Sequence, residues 1–134
     1  MKTLLTGICL TGVLIAGGAG AKPSQDIVAG QNMFDHGCTS CHDDSAYVVK
    51  ADGPPLFGIV GRPVGSASGF NYSPALQAAH RNGDIWTTKR LEVFLANPSH
   101  MYPGTTMPWS YAALDDRRTM IAYLKSLKAK PAND

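Results

Sequence analysis

The chain has 134 residues, of which 16% are charged, and its formal net charge is +2 at pH 7. This near-neutral balance does not indicate a nucleic-acid-binding protein, which is usually strongly basic. The length fits a short leader and one domain, and a domain of this size needs additional stabilisation of its core.

Residues 1–21 have the pattern of a secretory signal peptide. Lys2 supplies the positive charge, residues 4–16 form the apolar run, and residues 19–21 (Ala-Gly-Ala) form a small-residue cleavage site. The apolar run is shorter than the about 20 residues that a membrane-spanning helix needs, although an uncleaved anchor remains an alternative. We therefore expect an exported domain of residues 22–134 in the periplasm.

The first predicted element of this domain is a helix over residues 26–36. Ile27, Gly30 and Phe34 recur at spacings of three, four and seven residues, which is the period of one helical face. Gly30 presents no side chain, so we expect another helix to approach the backbone closely there.

Directly after this helix stands Cys38-Thr39-Ser40-Cys41-His42, the Cys-x-x-Cys-His motif of c-type haem attachment. Two thiols at this spacing can form thioethers with the two vinyl groups of one haem, and the adjacent imidazole can bind the iron. We therefore predict one covalently attached haem c, with Cys38 and Cys41 as its anchors and His42 as an iron ligand.

A pair of cysteines at this spacing is also found in thioredoxin-like redox sites and in zinc sites. The third cysteine, Cys9, lies in the predicted leader, and no His-x3-5-His pair follows, so a four-ligand zinc site lacks donors. The scarcity of β-branched runs argues against the α/β fold that a thioredoxin-like pair requires.

Two loops and two helices are predicted in the middle of the chain. Residues 53–58 and 98–109 are rich in glycine and proline, and loops of this kind are unusual in a compact domain unless they form a site. Ser73 is a predicted N-cap with proline in the first helical turn, and a second helix covers residues 87–96 until Pro98 ends it.

The second loop supplies a candidate for the other axial position of the iron. A methionine thioether is a soft, neutral ligand, and opposite a histidine it raises the reduction potential of a haem. The prolines around Gly104 restrict the backbone just before Met107. We therefore predict Met107 as the sixth ligand, with Met101 in the same loop as its competitor.

The last predicted helix covers residues 116–129, with Asp115 as its N-cap. One face of it carries four apolar residues, which are Met120, Tyr123, Leu124 and Leu127. We expect this face to pack on the first helix, with Phe34 and Tyr123 on either side of Gly30.

Further short motifs accompany the pentapeptide. They are Gly30-x3-Phe34, Gly53-Pro54-Pro55-Leu56, Gly61-Arg62, Gly69-Phe70-Asn71-Tyr72, Trp86, Asn97-Pro98, Pro103-Gly104-Thr105-x-Met107 and Ile121-Ala122-Tyr123-Leu124. Together these motifs resemble class I cytochrome c, especially its mitochondrial cytochrome c and bacterial cytochrome c2 branch, over nearly all of residues 22–134. The resemblance implies an all-α class I cytochrome c fold, in which the N- and C-terminal helices cross and loops wrap one covalently bound haem.

The resemblance also implies roles for individual residues. His42 and Met107 would bind the iron from opposite faces, and the carbonyl of Pro54 would accept a hydrogen bond from His42. Propionates are negative and partly buried, so they need charged, N–H or O–H donors. The implied donors are Arg62, Asn71, Tyr72, Trp86 and Thr105. Phe94 stands where many relatives have a tyrosine that contacts the methionine sulfur.

We therefore expect a soluble electron carrier rather than an enzyme, because the sequence has no paired carboxylates and no nucleophile with a base. If Met107 does not bind, the alternative is an open-iron haem protein with peroxidase-like or ligand-binding activity. A tethered cytochrome subunit is the alternative if the leader is retained.

The expected partners are redox proteins that a monomer meets in short encounters at membrane complexes. A quinol-oxidising complex, a terminal oxidase, a photosynthetic reaction centre and a periplasmic dehydrogenase all fit. Positions that carry docking lysines in mitochondrial members are uncharged here, and they are Gly37, Ala51, Ser99, His100 and Thr106. We therefore expect weak electrostatic steering and docking through a small, mostly uncharged patch near the thioether edge.

Overall fold

The computed structural model describes residues 24–45, 50 and 52–129, so the predicted leader lies outside the described residues. The helices in this part of the chain are α1 (Gln25–Gly37), α2 (Pro74–Arg81), α3 (Thr88–Ala96), α4 (Pro98–Met101), α5 (Leu114–Ser126) and a 3-10 helix (Leu127–Ala129). Among these residues, strand-like pairing is limited to one isolated bridge between Pro63 and Ile85. The predicted all-α fold class is confirmed.

Ser24 is the N-cap of helix α1, and its side chain accepts a hydrogen bond from the backbone N–H of Ile27. Its buried residues are Gly30 and Phe34, as the spacing predicts. The backbone N–H of Cys38 donates to the carbonyl of Phe34 at 2.8 Å. The helix therefore leads directly into the Cys-x-x-Cys-His segment.

Helices α1 and α5 are in close contact, and they cross at Gly30. A Cβ atom added at Gly30 would lie 2.4 Å from the carbonyl oxygen of Thr119 and 2.7 Å from the Cβ of Tyr123. The rings of Phe34 and Tyr123 are both buried, with centroids 5.5 Å apart. The predicted crossing, with glycine at the closest approach, is confirmed.

The start of α5 differs from the prediction. Ala113 occupies the N-cap position without a side-chain cap, and the backbone N–H of Arg117 donates to its carbonyl. Asp115 lies inside the first turn, where its carboxylate interacts favourably with the positive end of the helix dipole. The predicted N-cap role of Asp115 is therefore wrong, because the first helical hydrogen bond forms earlier than the predicted start at residue 116.

Helix α2 begins as the sequence predicts, and α3 begins one residue later than predicted. The Ser73 side chain accepts a hydrogen bond from the backbone N–H of Leu76, and Pro74 is the first residue of α2. The Thr87 side chain accepts from the backbone N–H of Arg90 at 3.1 Å. Thr87 is therefore the N-cap of α3 rather than its first helical residue.

Pro98 ends α3 but also begins α4, which the sequence did not predict. Asn97 caps this short helix by accepting a hydrogen bond from the backbone N–H of His100 at 3.1 Å. Proline fits the first turn of a helix because its missing N–H would have no partner there. The predicted loop 98–109 therefore opens with one helical turn.

The core extends from the α1–α5 crossing into the middle of the chain. Its most completely buried side chains are Phe34, Val64, Met120 and Leu127. Trp86, Phe94 and Tyr102 form an aromatic group with ring centroids 5.0 to 5.9 Å apart. In residues 24–45, 50 and 52–129, none of the helices combines the length and apolar character needed to cross a membrane.

Replacing Gly30 by alanine tests the crossing. Alanine favours a helix over glycine by about 1 kcal/mol, but its Cβ would collide with backbone that cannot move alone. We expect Gly30→Ala to lower the free energy of unfolding by about 1–3 kcal/mol in guanidinium titrations followed by circular dichroism. Val28→Ala, at a position 47% exposed in the same helix, is the control and should stay within about 0.5 kcal/mol. A Gly30→Ala protein as stable as the parent would contradict the close approach.

Candidate haem site

The Cys38–His42 segment forms a compact turn at the end of α1. The backbone N–H groups of Cys41 and His42 donate to the carbonyl of Cys38 at 3.1 and 2.8 Å. Both cysteines are partly buried, and burial raises the pKa of the Cys38 thiol. The turn therefore brings two sulfur atoms and one imidazole together on a single short segment.

The structure places Pro54 against His42. The Nδ1 atom of His42 lies 2.8 Å from the carbonyl oxygen of Pro54, which accepts its hydrogen bond. A Cβ atom at Gly53 would lie 2.7 Å from the imidazole ring and 2.6 Å from the carbonyl of Cys41, so glycine allows this approach. Burial lowers the pKa of His42, against the opposing effect of the Pro54 bond, and so favours the neutral imidazole that binds metals.

Arg62 and Trp86 are brought together by two backbone hydrogen bonds. The N–H of Trp86 donates to the carbonyl of Arg62, and the N–H of Gly61 donates to the carbonyl of Trp86, both at 2.9 Å. The Arg62 guanidinium donates to the carbonyls of Pro55 at 2.7 Å and Phe57 at 3.2 Å. Burial lowers its pKa, because the charged form is partly removed from water.

Tyr72 lies close enough to Arg62 for the two side chains to interact electrostatically. Its hydroxyl accepts a hydrogen bond from the backbone N–H of Ala67 at 3.2 Å, and burial raises its pKa. Asn71 is exposed, and its side chain forms no hydrogen bond with the residues described. The structure therefore groups Arg62, Tyr72 and Trp86, and among the described residues the Asn71 side chain forms no hydrogen bond with them.

Met107 and Thr105 share the irregular segment that follows α4. The backbone N–H of Met107 lies 3.5 Å from Oγ1 of Thr105, and the N–H of Thr105 donates to the carbonyl of Tyr102 at 3.1 Å. Both Met107 and Met101 are partly buried against the core. The two differ in backbone, because Met101 is the last residue of α4 and Met107 lies outside any helix.

Trp109 lies beside Gly37, at the end of α1, and Tyr111 lies beside Gly37 and Cys38; the sequence did not indicate either contact. A Cβ atom at Gly37 would lie 3.3 Å from the Trp109 ring and 3.6 Å from the Tyr111 hydroxyl. Burial, with a smaller effect of Cys38, raises the pKa of Tyr111 to about 12. Their positions shortly after Met107 were the available signal that they belong to the same region.

Tyr123 joins α5 to the chain that follows His42. Its hydroxyl donates to Oδ2 of Asp44 at 2.8 Å. Burial and then this hydrogen bond raise the pKa of Tyr123. The sequence predicted only a packing role for Tyr123, because nothing in the helical period indicates a partner that lies 79 residues away.

Comparisons with known proteins agree with these features. The Cytochrome c family model matches residues 27–128. Cytochrome c-550 of Ancylobacter novellus is 39% identical over 101 residues, covering 75% of this chain and 94% of that protein. Cytochrome c of Tetrahymena pyriformis is 40% identical over 106 residues, covering 78% and 92%, and cytochrome c2 of Rhodopila globiformis is 38% identical over 112 residues, covering 81% and 100%.

The chain belongs to the cytochrome c family. It is a haem electron carrier with one covalent haem c and iron, not a substrate-converting enzyme, and it exchanges electrons with redox partners. The resemblance stated from the sequence motifs is therefore confirmed.

Proposed function

We propose that this chain carries single electrons through a haem attached at Cys38 and Cys41, with His42 and Met107 as the iron ligands. The 2.8 Å contact between His42 and Pro54, next to the turn that holds both cysteines, is the observation that carries this proposal. An imidazole whose Nδ1 is occupied by a carbonyl presents Nε2 to a metal in a fixed orientation. When bound, haem supplies one-electron exchange between ferric and ferrous iron.

The charge of Arg62 supports a propionate site nearby. Its guanidinium contacts neutral carbonyl groups, and within the described residues it pairs with no carboxylate. A partly buried cation gains most from an anion that can accept charge-assisted hydrogen bonds. We assign Arg62, Tyr72 and Trp86 to the propionates, and Thr105 and Asn71 to supporting positions in the same site.

Two observations support Met107 over Met101 as the axial ligand. Met107 is partly buried and lies in a non-helical segment, so the loop backbone can adopt the conformation that points its side chain toward the iron. Met101 is held within α4, where its own N–H donates to the carbonyl of Asn97 at 3.2 Å. Pro103 and Pro108 further restrict the loop around Met107.

Exchanging each methionine for alanine tests the ligand assignment. Ferric haem with a methionine ligand has a weak near-infrared charge-transfer band, so we expect the band in the parent, its loss in Met107→Ala, and its persistence in Met101→Ala. The reduction potential of Met107→Ala should also fall, because the thioether favours ferrous iron. Loss of the band in Met101→Ala alone would move the assignment to that residue. A parent protein with no band and high-spin iron would instead favour the open-iron alternative, which peroxide turnover would then examine.

Export of a cleaved domain is the second part of the proposal. Residues 1–21 support it, because they combine a positive charge at Lys2, an apolar run and a small-residue cleavage site. The match to the family model begins after these residues, at residue 27. We expect the haem-loaded protein to lie in the periplasmic fraction with Lys22 as its first residue, as read by N-terminal sequencing. An intact Met1 in the membrane fraction would instead support a tethered cytochrome subunit.

We also propose that the protein is a monomer that docks briefly on its redox partners. These partners are a quinol-oxidising complex, a terminal oxidase, a photosynthetic reaction centre or a periplasmic dehydrogenase. Four of the five positions that carry docking lysines in mitochondrial members lie among the residues that the structure describes. They hold no lysine, arginine or acidic residue, and they are Gly37, Ser99, His100 and Thr106. Ala51 lies outside the described residues. Trp109 lies beside Gly37 and is 48% exposed, so it presents apolar surface next to one of these positions.

Salt dependence tests this docking patch. Between about 0.01 and 0.15 M salt the screening length falls from about 30 to about 8 Å, which weakens any steering by charges. We expect the rate of electron transfer with a membrane complex to change much less than the about tenfold or greater effect of strong steering. Thr106→Lys should steepen the salt dependence with an acidic partner surface. A steep decline for the unmodified protein would contradict an uncharged docking patch.

A further inference from the structure

The segment that carries Met107 is held mainly at its two ends. It runs over residues 102–113, between α4 and α5. Within the described part of the chain, residues 106–110 neither donate nor accept a backbone–backbone hydrogen bond. The position of Met107 therefore depends on how firmly the flanking residues are fixed.

At the first end, Arg90 of α3 holds Tyr102. One guanidinium nitrogen, Nη1, lies 2.9 Å from the Tyr102 hydroxyl and 2.8 Å from Oδ2 of Asp84. Tyr102 is buried against Trp86 and Phe94, so its ring cannot follow the loop into solvent without leaving the core. The arginine therefore ties the start of the segment to α3 and to the aromatic group.

At the second end, Arg117 of α5 holds two consecutive carbonyl groups. Its Nη1 donates to the carbonyl of Tyr111 at 2.7 Å and to that of Ala112 at 2.6 Å. The N–H of Tyr111 also donates to the carbonyl of Leu95 in α3 at 2.8 Å. The end of the segment is therefore attached to both α3 and α5.

Arg117 differs from the surface arginine beside it. Its Nε is buried without a hydrogen-bond partner among the described residues, whereas Arg118 is largely exposed and makes a long 3.6 Å ion pair with Glu92. A guanidinium that is partly removed from water needs protein acceptors for its hydrogen bonds, because an unpaired buried donor is costly in free energy. Those acceptors are the carbonyls of Tyr111 and Ala112, so release of the segment would leave Arg117 without them.

We propose that Arg90 and Arg117 are positioning residues for Met107, acting as two clamps at the ends of residues 102–113. This inference rests on the proposed ligation of iron by Met107. With both ends fixed, departure of Met107 from the iron requires the short segment between the clamps to bend by itself. Without either clamp the whole segment can move away, which favours any competing iron ligand.

Competition by imidazole measures this effect at constant pH. We expect Arg117→Met and Arg90→Met in the ferric holoprotein to bind imidazole on the order of tenfold more tightly than the parent, as loss of a hydrogen bond from a charged group implies. Arg117→Lys, which keeps a cationic donor, should restore part of the difference. Tyr102→Phe removes only the hydroxyl acceptor at the first clamp and should raise the affinity about threefold to tenfold.

Matched controls lie next to each clamp. Arg118→Met and Lys89→Met remove the same charge from exposed neighbouring positions and should leave the imidazole affinity unchanged. The decisive control is the Met107→Ala background. There the segment has no ligand to hold, so adding Arg117→Met should cause no further change in affinity.

Three results would overturn the inference. One is that Arg90→Met, Arg117→Met and Tyr102→Phe all bind imidazole with the same affinity as the parent, although loss of the charge-transfer band in Met107→Ala shows that Met107 is the ligand. Another is an equal effect of Arg118→Met, which would indicate charge alone. The third is an undiminished effect of Arg117→Met in the Met107→Ala background, which would indicate general loosening of the fold. Failure of the proposed ligation has a different signature, because the parent and Met107→Ala would then bind imidazole equally, and both proposals would fall.

Discussion

The packing of α1 against α5 at Gly30 is the constraint on which the rest of the molecule depends. Helix α1 ends at the Cys38–His42 turn, and α5 carries both Tyr123 and Arg117. One interhelical contact therefore sets the position of the turn that holds the cysteines and of the residue that holds the far end of the Met107 segment. A rotation of either helix would expose Phe34, which is 1% exposed, and would displace both regions together.

Features that depend on neighbouring residues were predictable from the sequence. The face of α1, the Ser73 cap with Pro74, and the pentapeptide at Cys38 all follow from short-range periodicity, capping or chemistry. The errors lie at helix ends, where several residues compete. Asp115 has the right chemistry for a cap, but the helix begins before it, and Pro98 is compatible with both the end of one helix and the start of the next.

Contacts between distant elements were not predictable in this way. The period of α5 identifies its buried face but gives no reason for Arg117 to reach the carbonyls of Tyr111 and Ala112. Long cationic side chains look like solvated surface in a sequence, and their partners become clear only when the backbone is folded. The contact between His42 and Pro54 was expected from the family resemblance, since spacing alone gives no reason for these two residues to meet.

The crossing of α1 and α5 also affects the order in which the chain can fold during synthesis. The partner of α1 is the last α-helix of the described chain, so Phe34 lacks Tyr123 until residues near 123 have emerged from the ribosome. Until then α1 is an isolated helix of 13 residues, and a helix of this length is only marginally stable in water by itself. Truncated nascent chains therefore keep an apolar helical face unpaired, and the fold is completed only when α5 is available.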